Sequence, residues 1–297
     1  MAAGQLRLIR RRIRSIQSTA KITRAMELVA ASKMRRAQLN AIAARPYAER
    51  LRWVLADLAE TLSQIEPQDR HPLLQERSEV KAVELILVTP NRGLSGGLPA
   101  NLNRRAAQFV LDQGKPTRVI AVGRKGRDFF KRRDVVLRDE YIGLTGSGQV
   151  KLTDALEIAQ NIIKTFSEDK TIDKVFLVYT EFKTVLSQKP VIEQILPIPR
   201  IDAADTGENA APQAEYIYEQ PAAEIFGKLL PKQVETQLYK SMLESVASEQ
   251  GSRMTAMDSA SKNAGELIDT LTLNMNRIRQ AAITKEIIEV VSGAAAA

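Results

Sequence analysis

A serine flanked by glycines is the closest match to a catalytic motif in this sequence. Gly93, Ser95 and Gly97 fit the G-x-S-x-G pattern of a serine nucleophile on a sharp turn. In that arrangement the serine follows its strand directly, and the catalytic histidine comes later in the chain. Here residues 89–92 intervene, and the only histidine, His71, precedes the serine. The pattern therefore favours a glycine loop shaped for packing over a serine hydrolase.

Other candidate sites lack an essential residue. Residues 143–148 resemble a phosphate-binding loop, but Gln149 stands where such a loop has lysine. Residues 123–126 are basic and glycine-rich, which favours the start of a helix over an anion site.

His71 is predicted to lie on an exposed connection without a partner. Because the chain has no cysteine and one histidine, thiolate and multi-histidine metal sites are excluded. We predict no catalytic residue, no cofactor and no metal.

The positive charge is concentrated at one end of the chain. The 297 residues carry a net charge of +8, and residues 1–57 hold thirteen Lys and Arg against three Asp and Glu. Such a segment either faces solvent or meets an acidic surface of nucleic acid, lipid or protein. No uncharged apolar run approaches the ~18 residues that span a bilayer. The N-terminus lacks the pattern of a secretory signal, so we expect a cytoplasmic protein without direct membrane insertion.

Long helices are predicted at both ends of the chain. From Ile9 to Ile65, positions at alternating spacings of four and three are apolar in fifteen of seventeen cases. From Leu243 to Ala282 the same spacing is apolar in ten of twelve cases. We call these two rows the seams. Because the chain must return between them, we expect the seams to pair as an antiparallel coiled coil, the alternative being two homodimeric coils. Pro46 should kink the first helix or break it locally.

The region between the helices alternates strands and helices, which predicts an α/β domain. Five apolar runs predict strands, at 82–89, 117–123, 135–142, 174–182 and 190–198. Two amphipathic runs predict helices, at 100–113 and 152–168, and Thr153 or Asp154 is expected to cap the second. The predicted division of the chain is an N-terminal helix at 1–65, an α/β domain at 78–200, a linker at 201–220 and a C-terminal helix at 221–297.

Three segments resemble the gamma subunit of rotary ATP synthase. Residues 13–37 are similar to that family's N-terminal helix and residues 248–297 to its C-terminal helix, including its most specific signature at 283–289. Residues 92–97 match a third motif, with Ser95 where many members have cysteine. The resemblance covers essentially the whole chain. It implies the α/β fold class, with a long antiparallel coiled coil of the N- and C-terminal helices plus a small Rossmann-like α/β domain.

The resemblance also implies a function. The coiled coil would be a rotor shaft inside a ring of three alpha and three beta subunits, and the α/β domain, the foot, would meet the epsilon subunit and the membrane c-ring. The shaft would couple ion flow to ATP synthesis or hydrolysis at the beta subunits without being catalytic itself. It would lie peripherally at the cytoplasmic face of a bacterial membrane. The alternatives are a basic coiled-coil protein that binds nucleic acid and an α/β enzyme with helical extensions.

Contact residues follow from the same resemblance and from the basic charge of the first helix. Residues expected to meet the beta subunit are Met26, Arg35, Arg36, Arg279, Gln280, Thr284 and Glu286. Residues expected to meet the epsilon subunit and the membrane ring are Tyr216, Tyr218 and Glu219. The alternative for Met26 is packing between helices, and for the four C-terminal residues it is a solvated helix face.

Overall fold

The computed structural model describes residues 2–62, 71–77, 79–145, 149–169, 171–199 and 222–295. The α-helices in this part of the chain are α1 (Ala2–Leu62), α2 (Leu98–Gln113), α3 (Arg124–Lys131), α4 (Leu152–Glu168) and α5 (Ala222–Ala295). The strands are β1 (Val83–Val88), β2 (Thr117–Val122), β3 (Leu137–Tyr141), β4 (Lys174–Phe182) and β5 (Gln188–Leu196). A short 3-10 turn spans Pro72–Leu74. The predicted linker at 201–220 lies outside the described residues, and the predicted domain division remains a prediction.

The seams are confirmed from Ile9 to Leu55 and from Leu243 to Ala282, and the two terminal helices pair as an antiparallel coiled coil. In α1, each of the fourteen seam positions from Ile9 to Leu55 is buried or half-buried. The same holds for all twelve seam positions of α5 from Leu243 to Ala282. Small side chains fill the middle of the α1 seam, and a row of alanines lets a second helix approach closely. The seams therefore bury the apolar positions that the spacing selects.

Pro46 does not interrupt α1. The helix runs from Ala2 to Leu62 with Pro46 inside it, so the predicted local break was wrong. The Pro46 side chain is exposed, while Ala48 and Leu51 of the seam are buried. Proline lacks an N–H, so α1 loses one backbone hydrogen bond at this position. The helix continues because the apolar seam residues on both sides of Pro46 are buried, and their burial stabilises it by more than the lost bond costs.

Contacts divide the chain into two units. The first unit contains Met1–Ala30 and Arg253–Ala297, and the second contains Ala31–Ser252. In the first unit the hydroxyl oxygens of Thr23 and Ser261 lie 3.0 Å apart and share a hydrogen bond. The Ser261 hydroxyl is also 3.2 Å from the carbonyl oxygen of Ala20. These contacts fix the register of α1 against α5 within this unit.

The second unit is built on a mixed sheet with strand order β3-β2-β1-β4-β5. Strands β1 to β4 run parallel to one another, and β5 is antiparallel to β4. Central β1 is fully buried, as expected for a parallel strand covered on both faces. Ile86 and Val88 face a core shared with α1, α4 and α5, whereas Leu85 and Leu87 face a core shared with α2 and α3.

The five strands are predicted correctly, with small differences at their ends. The last strand is shifted two residues towards the N-terminus, to Gln188–Leu196. The basic glycine segment at 123–126 does begin a helix, α3. The predicted cap of α4 was wrong, because Lys151 occupies the cap position and no side chain caps this helix. Asp154 instead lies in the first turn of α4, where a negative charge is favourable.

Candidate functional site

The carboxyl ends of β1 and β4 form the crevice where an open α/β sheet usually binds its ligand. The chain leaves β1 towards β2 on one side, and β4 lies on the other, so the connections diverge at this point. In this protein α5 fills the crevice. Every residue of α5 from 241 to 252 is buried. The candidate binding crevice is therefore occupied by the chain's own C-terminal helix.

Polar side chains of α5 replace a missing strand at this crevice. The pairing of β4 with β1 ends at Val178, but β4 continues to Phe182. The backbone beyond Val178 bonds to α5 instead. The bonds are Phe182 N–H to Glu244 Oε2 (3.1 Å), Thr180 N–H to Ser245 Oγ (3.4 Å) and Ser248 Oγ–H to the Thr180 carbonyl (3.1 Å). Backbone groups that a strand would pair are thus satisfied by a helix.

The glycine-flanked serine lies in the same crevice and is buried. Ser95 is 1% exposed, and among the described residues its hydroxyl has no hydrogen-bond partner. Its carbonyl oxygen accepts a hydrogen bond from Ser252 Oγ at 2.8 Å. Leu94 and Gly96 on either side have φ of 64° and 55°. The loop is a packing element that contacts α5, as the sequence predicts.

Asn91 ties together the loops that follow β1, β2 and β3. Its Oδ1 accepts hydrogen bonds from Arg124 N–H and Gly143 N–H, both at 3.1 Å, and its Nδ2 donates to Thr145 Oγ1 at 2.8 Å. Gly123 has φ of 115°, and a Cβ there would lie 2.0 Å from the carbonyl oxygen of Thr89. The position therefore requires glycine.

The first amides of α3 are used within the protein. Lys125 N–H donates to the Pro90 carbonyl at 3.1 Å, and Gly126 N–H donates to Thr89 Oγ1 at 2.9 Å. Since these donors are satisfied, they do not face an anion. The second glycine segment begins with Gly143, whose N–H binds Asn91, and its residues 146–148 lie outside the described part.

His71 does have a partner, contrary to the prediction. It is half-buried, and its Nδ1 accepts a hydrogen bond from Leu73 N–H at 3.3 Å, which caps the 3-10 turn. Burial lowers the pKa of His71, which favours the neutral ring that can accept this bond. The residue has a structural role that an Arg-His-Pro sequence does not reveal.

The residues expected to meet a beta subunit lie on α1 and α5. In the first unit Met26 is half-buried, while Arg279, Gln280, Thr284 and Glu286 are exposed. In the second unit Arg35 and Arg36 are exposed. The helical spacing places Arg279 and Glu286 on one side of α5, with Gln280 and Thr284 on the adjoining side. Tyr216, Tyr218 and Glu219 lie outside the described residues.

The end of α5 extends beyond the start of α1. Twenty-one residues separate Ala2 from Thr23, and the same distance along α5 from Ser261 reaches Ala282. All side chains described after Ala282 are exposed. Five of them are large and apolar, with exposures of 48% to 72%: Ile283, Ile287, Ile288, Val290 and Val291. An apolar surface of this kind is characteristic of a segment that a partner encloses.

A buried carboxylate, Glu84, lies near the start of β1, at the end of the strand away from the crevice. Glu84 is 1% exposed, and Arg138, the extra residue of a bulge in β3, reaches it over β2. Arg138 Nε lies 2.9 Å from Glu84 Oε1, but without the alignment of a hydrogen bond, so the two form an ion pair. Arg138 also pairs with Asp139 at 3.1 Å. Burial raises the pKa of Glu84 to about 7, and the Arg138 charge opposes that rise.

The described residues contain neither a candidate metal site nor a helix that could span a membrane. Among the described residues, no group of His, Asp and Glu side chains has the arrangement needed to hold a metal ion. No helix in the same part of the chain is both long and apolar enough to cross a bilayer.

Comparisons with known proteins cover nearly the whole chain. Residues 5–297 match the ATP synthase family. The ATP synthase gamma chain of Solibacter usitatus is 48% identical over 290 residues, which cover 97% of this chain and 98% of that one. The gamma chain of Pelotomaculum thermopropionicum is 47% identical over 291 residues, covering 98% of each.

Solved structures show the same fold. The central stalk and c-ring structure of the Tetrahymena thermophila mitochondrial ATP synthase contains a chain that matches with a TM-score of 0.62 at 24% identity. That match covers 81% of this chain and 99% of the other. A chain of the Euglena gracilis mitochondrial ATP synthase matches with a TM-score of 0.64 at 16% identity, covering 99% of this chain and 95% of the other.

Proposed function

The chain belongs to the ATP synthase gamma-chain family, and on that premise we propose that it forms the central rotor shaft of an ATP synthase. The shaft couples ion flow through the membrane c-ring to ATP synthesis or hydrolysis on the beta subunits. The observation that carries the proposal is the apolar end of α5, which extends past Ala282 without α1 beside it. A surrounding ring of subunits gives these exposed Ile and Val side chains a partner.

Coupling follows from the asymmetry of a two-helix shaft. The pair of α1 and α5 presents different side chains in different directions, whereas a ring of three alpha and three beta subunits offers three equivalent catalytic sites. Each beta subunit therefore contacts a different face of the shaft at any moment. The free energy of contact differs between those faces, and this difference biases each site towards an open or a closed state.

Charged and polar side chains on both helices make the contacts with the beta subunits. Exposed Arg35 and Arg36 face acidic loops of the beta subunits, which we call the lever loops because they move when a catalytic site opens or closes. Met26 packs against the same loops. Near the end of α5 a set of exposed polar side chains hydrogen-bonds a beta loop, namely Arg279, Gln280, Thr284 and Glu286. Their exposure in the isolated chain supports this role, because contact groups must be available before assembly.

The foot provides the contacts on the membrane side. Tyr216, Tyr218 and Glu219 meet the epsilon subunit and the membrane c-ring. The protein is peripheral at the cytoplasmic face of a bacterial membrane, and it is non-catalytic, with no cofactor of its own. The occupied crevice at the ends of β1 and β4 supports a non-catalytic role, because α5 fills the place where such a sheet would bind a substrate. The comparisons give no support to the nucleic-acid alternative.

Native mass spectrometry of the complex purified through a tag on this chain tests the proposal. We expect one copy of the chain with three alpha subunits, three beta subunits and epsilon, and with the c-ring when detergent extraction is mild. Recovery of the chain alone, or with nucleic acid in a strongly salt-dependent manner, would contradict the proposal. ATP turnover by the isolated chain, free of beta subunit, would contradict the non-catalytic role.

A further inference from the structure

The polar face of α5 that enters the crevice has a feature that packing alone does not require. Four residues of this face bond to the backbone of the sheet or its loops, and we call them the polar row: Glu244, Ser245, Ser248 and Ser252. Glu244 and Ser245 are adjacent, and Ser248 and Ser252 follow one and two turns later, so all four lie on one face of the helix. The seam residues Leu243 and Ala247 lie on a different face. One helix thus carries an apolar face for α1 and a polar face for the sheet.

The row fixes α5 in two directions. Apolar side chains pack without strong directionality, so a helix held by them alone can shift or turn slightly against a sheet. Hydrogen bonds are directional, and a buried polar group that loses its partner is costly. The row spans two turns of α5 and binds backbone at two separate places, the end of β4 and the loop at Ser95. These bonds set both the rotation of α5 about its axis and its position along that axis.

Glu244 extends the connection to α1. Its Oε2 accepts from Phe182 N–H of β4, while its Oε1 is 3.5 Å from Arg45 Nη2 of α1. The Glu244 side chain is 3% exposed, whereas the Arg45 side chain is 42% exposed, so solvent reaches the ion pair from the Arg45 side. The sheet, α5 and α1 therefore meet at one buried carboxylate.

We propose that the polar row is the element that transmits torque between the foot and the shaft, by preventing α5 from turning against the sheet. The inference rests on the proposed function, since it assigns positioning residues to the rotor. Torque applied to the foot acts to rotate α5 over β4 and the Ser95 loop. The row resists that rotation at the last residues of the unit that contains the sheet, which ends at Ser252.

The decisive variant removes three hydroxyl groups of the row, as S245A/S248A/S252A in the complete ATP synthase. Ser241→Ala is the matched control, because Ser241 is equally buried on the same helix but its hydroxyl bonds to the Leu238 carbonyl within α5. ATP-driven ion uptake and ATP hydrolysis are measured on the same vesicles, with proton and sodium uptake both recorded. We expect the triple variant to hydrolyse ATP with fewer ions moved per ATP, and the control to keep the wild-type ratio.

A local measurement separates loosening of the row from global damage. Hydrogen exchange on the complete complex should show the Thr180 amide exchanging roughly fivefold faster in the triple variant, because this N–H loses its acceptor Ser245. Amides in β2 should keep wild-type exchange. Glu244→Gln retains an acceptor for Phe182 N–H and should move more ions per ATP than Glu244→Ala.

The outcomes decide the inference separately from the proposed function. A triple variant that assembles and keeps the wild-type ratio of ions to ATP overturns the torque role, while its assembly leaves the rotor assignment intact. If the triple variant does not assemble, Ser252→Ala alone decides in the same way, since it removes the bond to the Ser95 carbonyl and leaves the bonds to β4 in place. Failure of the wild-type chain to join the complex would instead reject the proposed function.

Discussion

Thr23 and Ser261 are two of the few polar residues in the mostly apolar seams, and they face each other across the helix pair with hydroxyl oxygens 3.0 Å apart. A polar pair inside an apolar interface favours one register, because a shift breaks this bond and the bond from Ser261 to the Ala20 carbonyl. With this register, α1 begins beside Ala282, and the rest of α5 continues without α1 next to it. The relationship therefore predicts where contacts within the chain stop and where contacts with a surrounding ring begin.

The first prediction concerns the apolar end of α5. Deleting residues 292–297 should leave the complex assembled and able to synthesise ATP, because the segment holds the axis without specific bonds. Deleting from Arg279 onwards should do more harm, since it also removes Gln280, Thr284 and Glu286. The measurement is ATP synthesis and hydrolysis by complexes with stepwise truncations. Loss of assembly after the six-residue deletion, together with tolerance of polar substitutions at the other four positions, would reverse the assignment.

The second prediction concerns the basic face of α1. Replacing Arg35 and Arg36 together by Gln should reduce ion pumping per ATP while leaving the unfolding midpoint of the isolated chain unchanged. Each exposed charge pair contributes only ~0.2–1 kcal/mol, so single substitutions should have little effect. Arg104 and Arg105 form a matched pair, exposed and adjacent on α2, and their replacement should leave pumping unaltered. Equal effects of the two double variants would argue against acidic lever loops as partners.

The third prediction concerns pH and the buried ion pair. Burial raises the pKa of Glu84 to about 7 from 4.5, so between these values the folded protein binds more protons than the unfolded chain. Stability from this group is therefore present below pH 4.5 and is lost as the pH rises through 7, by on the order of 3 kcal/mol. Denaturant unfolding of the isolated chain should show a smaller loss between pH 5 and pH 8 in Glu84→Gln than in the wild type.

An exposed carboxylate provides the control for that measurement. Glu168→Gln at the end of α4 changes the same chemical group where it is exposed, so its pH dependence should match that of the wild type. If Glu84→Gln also retained the full wild-type loss of stability between pH 5 and pH 8, another group would have to be responsible.

The fourth prediction concerns the turn at Gly123. Gly123→Ala should destabilise the foot by about 3 kcal/mol or more, because its Cβ would overlap the Thr89 carbonyl oxygen and φ is positive. Gly114→Ala is the comparison, since Gly114 has φ of 58° but no atom within 4 Å of a Cβ. That change should cost only about 1 kcal/mol, from backbone strain alone. Equilibrium denaturation measures both, and a similar cost at both positions would contradict the steric argument.

The terminal helices and the strands could be predicted because each has a strong pattern of apolar residues, periodic in the helices and continuous in the central strands. The seams repeat every seven residues for dozens of residues, and β1 is a short apolar run of the kind that forms a central strand. The local break considered at Pro46 was wrong, because the local rule for proline in a helix ignores how much seam burial lies on either side. Local rules fail where long-range packing supplies more free energy than they count.

The site could not be predicted from the sequence, because its residues look like solvent-exposed ones. Glu244, Ser248 and Ser252 lie on a helix face that a periodicity argument assigns to water. Only the position of β4, which extends past β1, shows that these side chains are needed for backbone bonding. Glu84 and Asn91 could not be predicted either. Glu84 is a single buried charge and Asn91 is a single side-chain amide in a loop, and neither belongs to a periodic sequence pattern. Their roles depend on residues far away in the sequence, such as Arg138 and Gly143.

The crevice filled by α5 makes that helix an intramolecular ligand of the α/β domain. A fragment covering residues 71–199 lacks α5, which would leave an empty cleft and unpaired backbone groups at Thr180 and Phe182. A synthetic peptide covering residues 237–256 should then bind the fragment in trans and restore those bonds. It would occupy the cleft where an enzyme with this type of open sheet binds its substrate. The architecture that other sheets of this type use to recognise small molecules is here used for self-recognition between distant parts of one polypeptide.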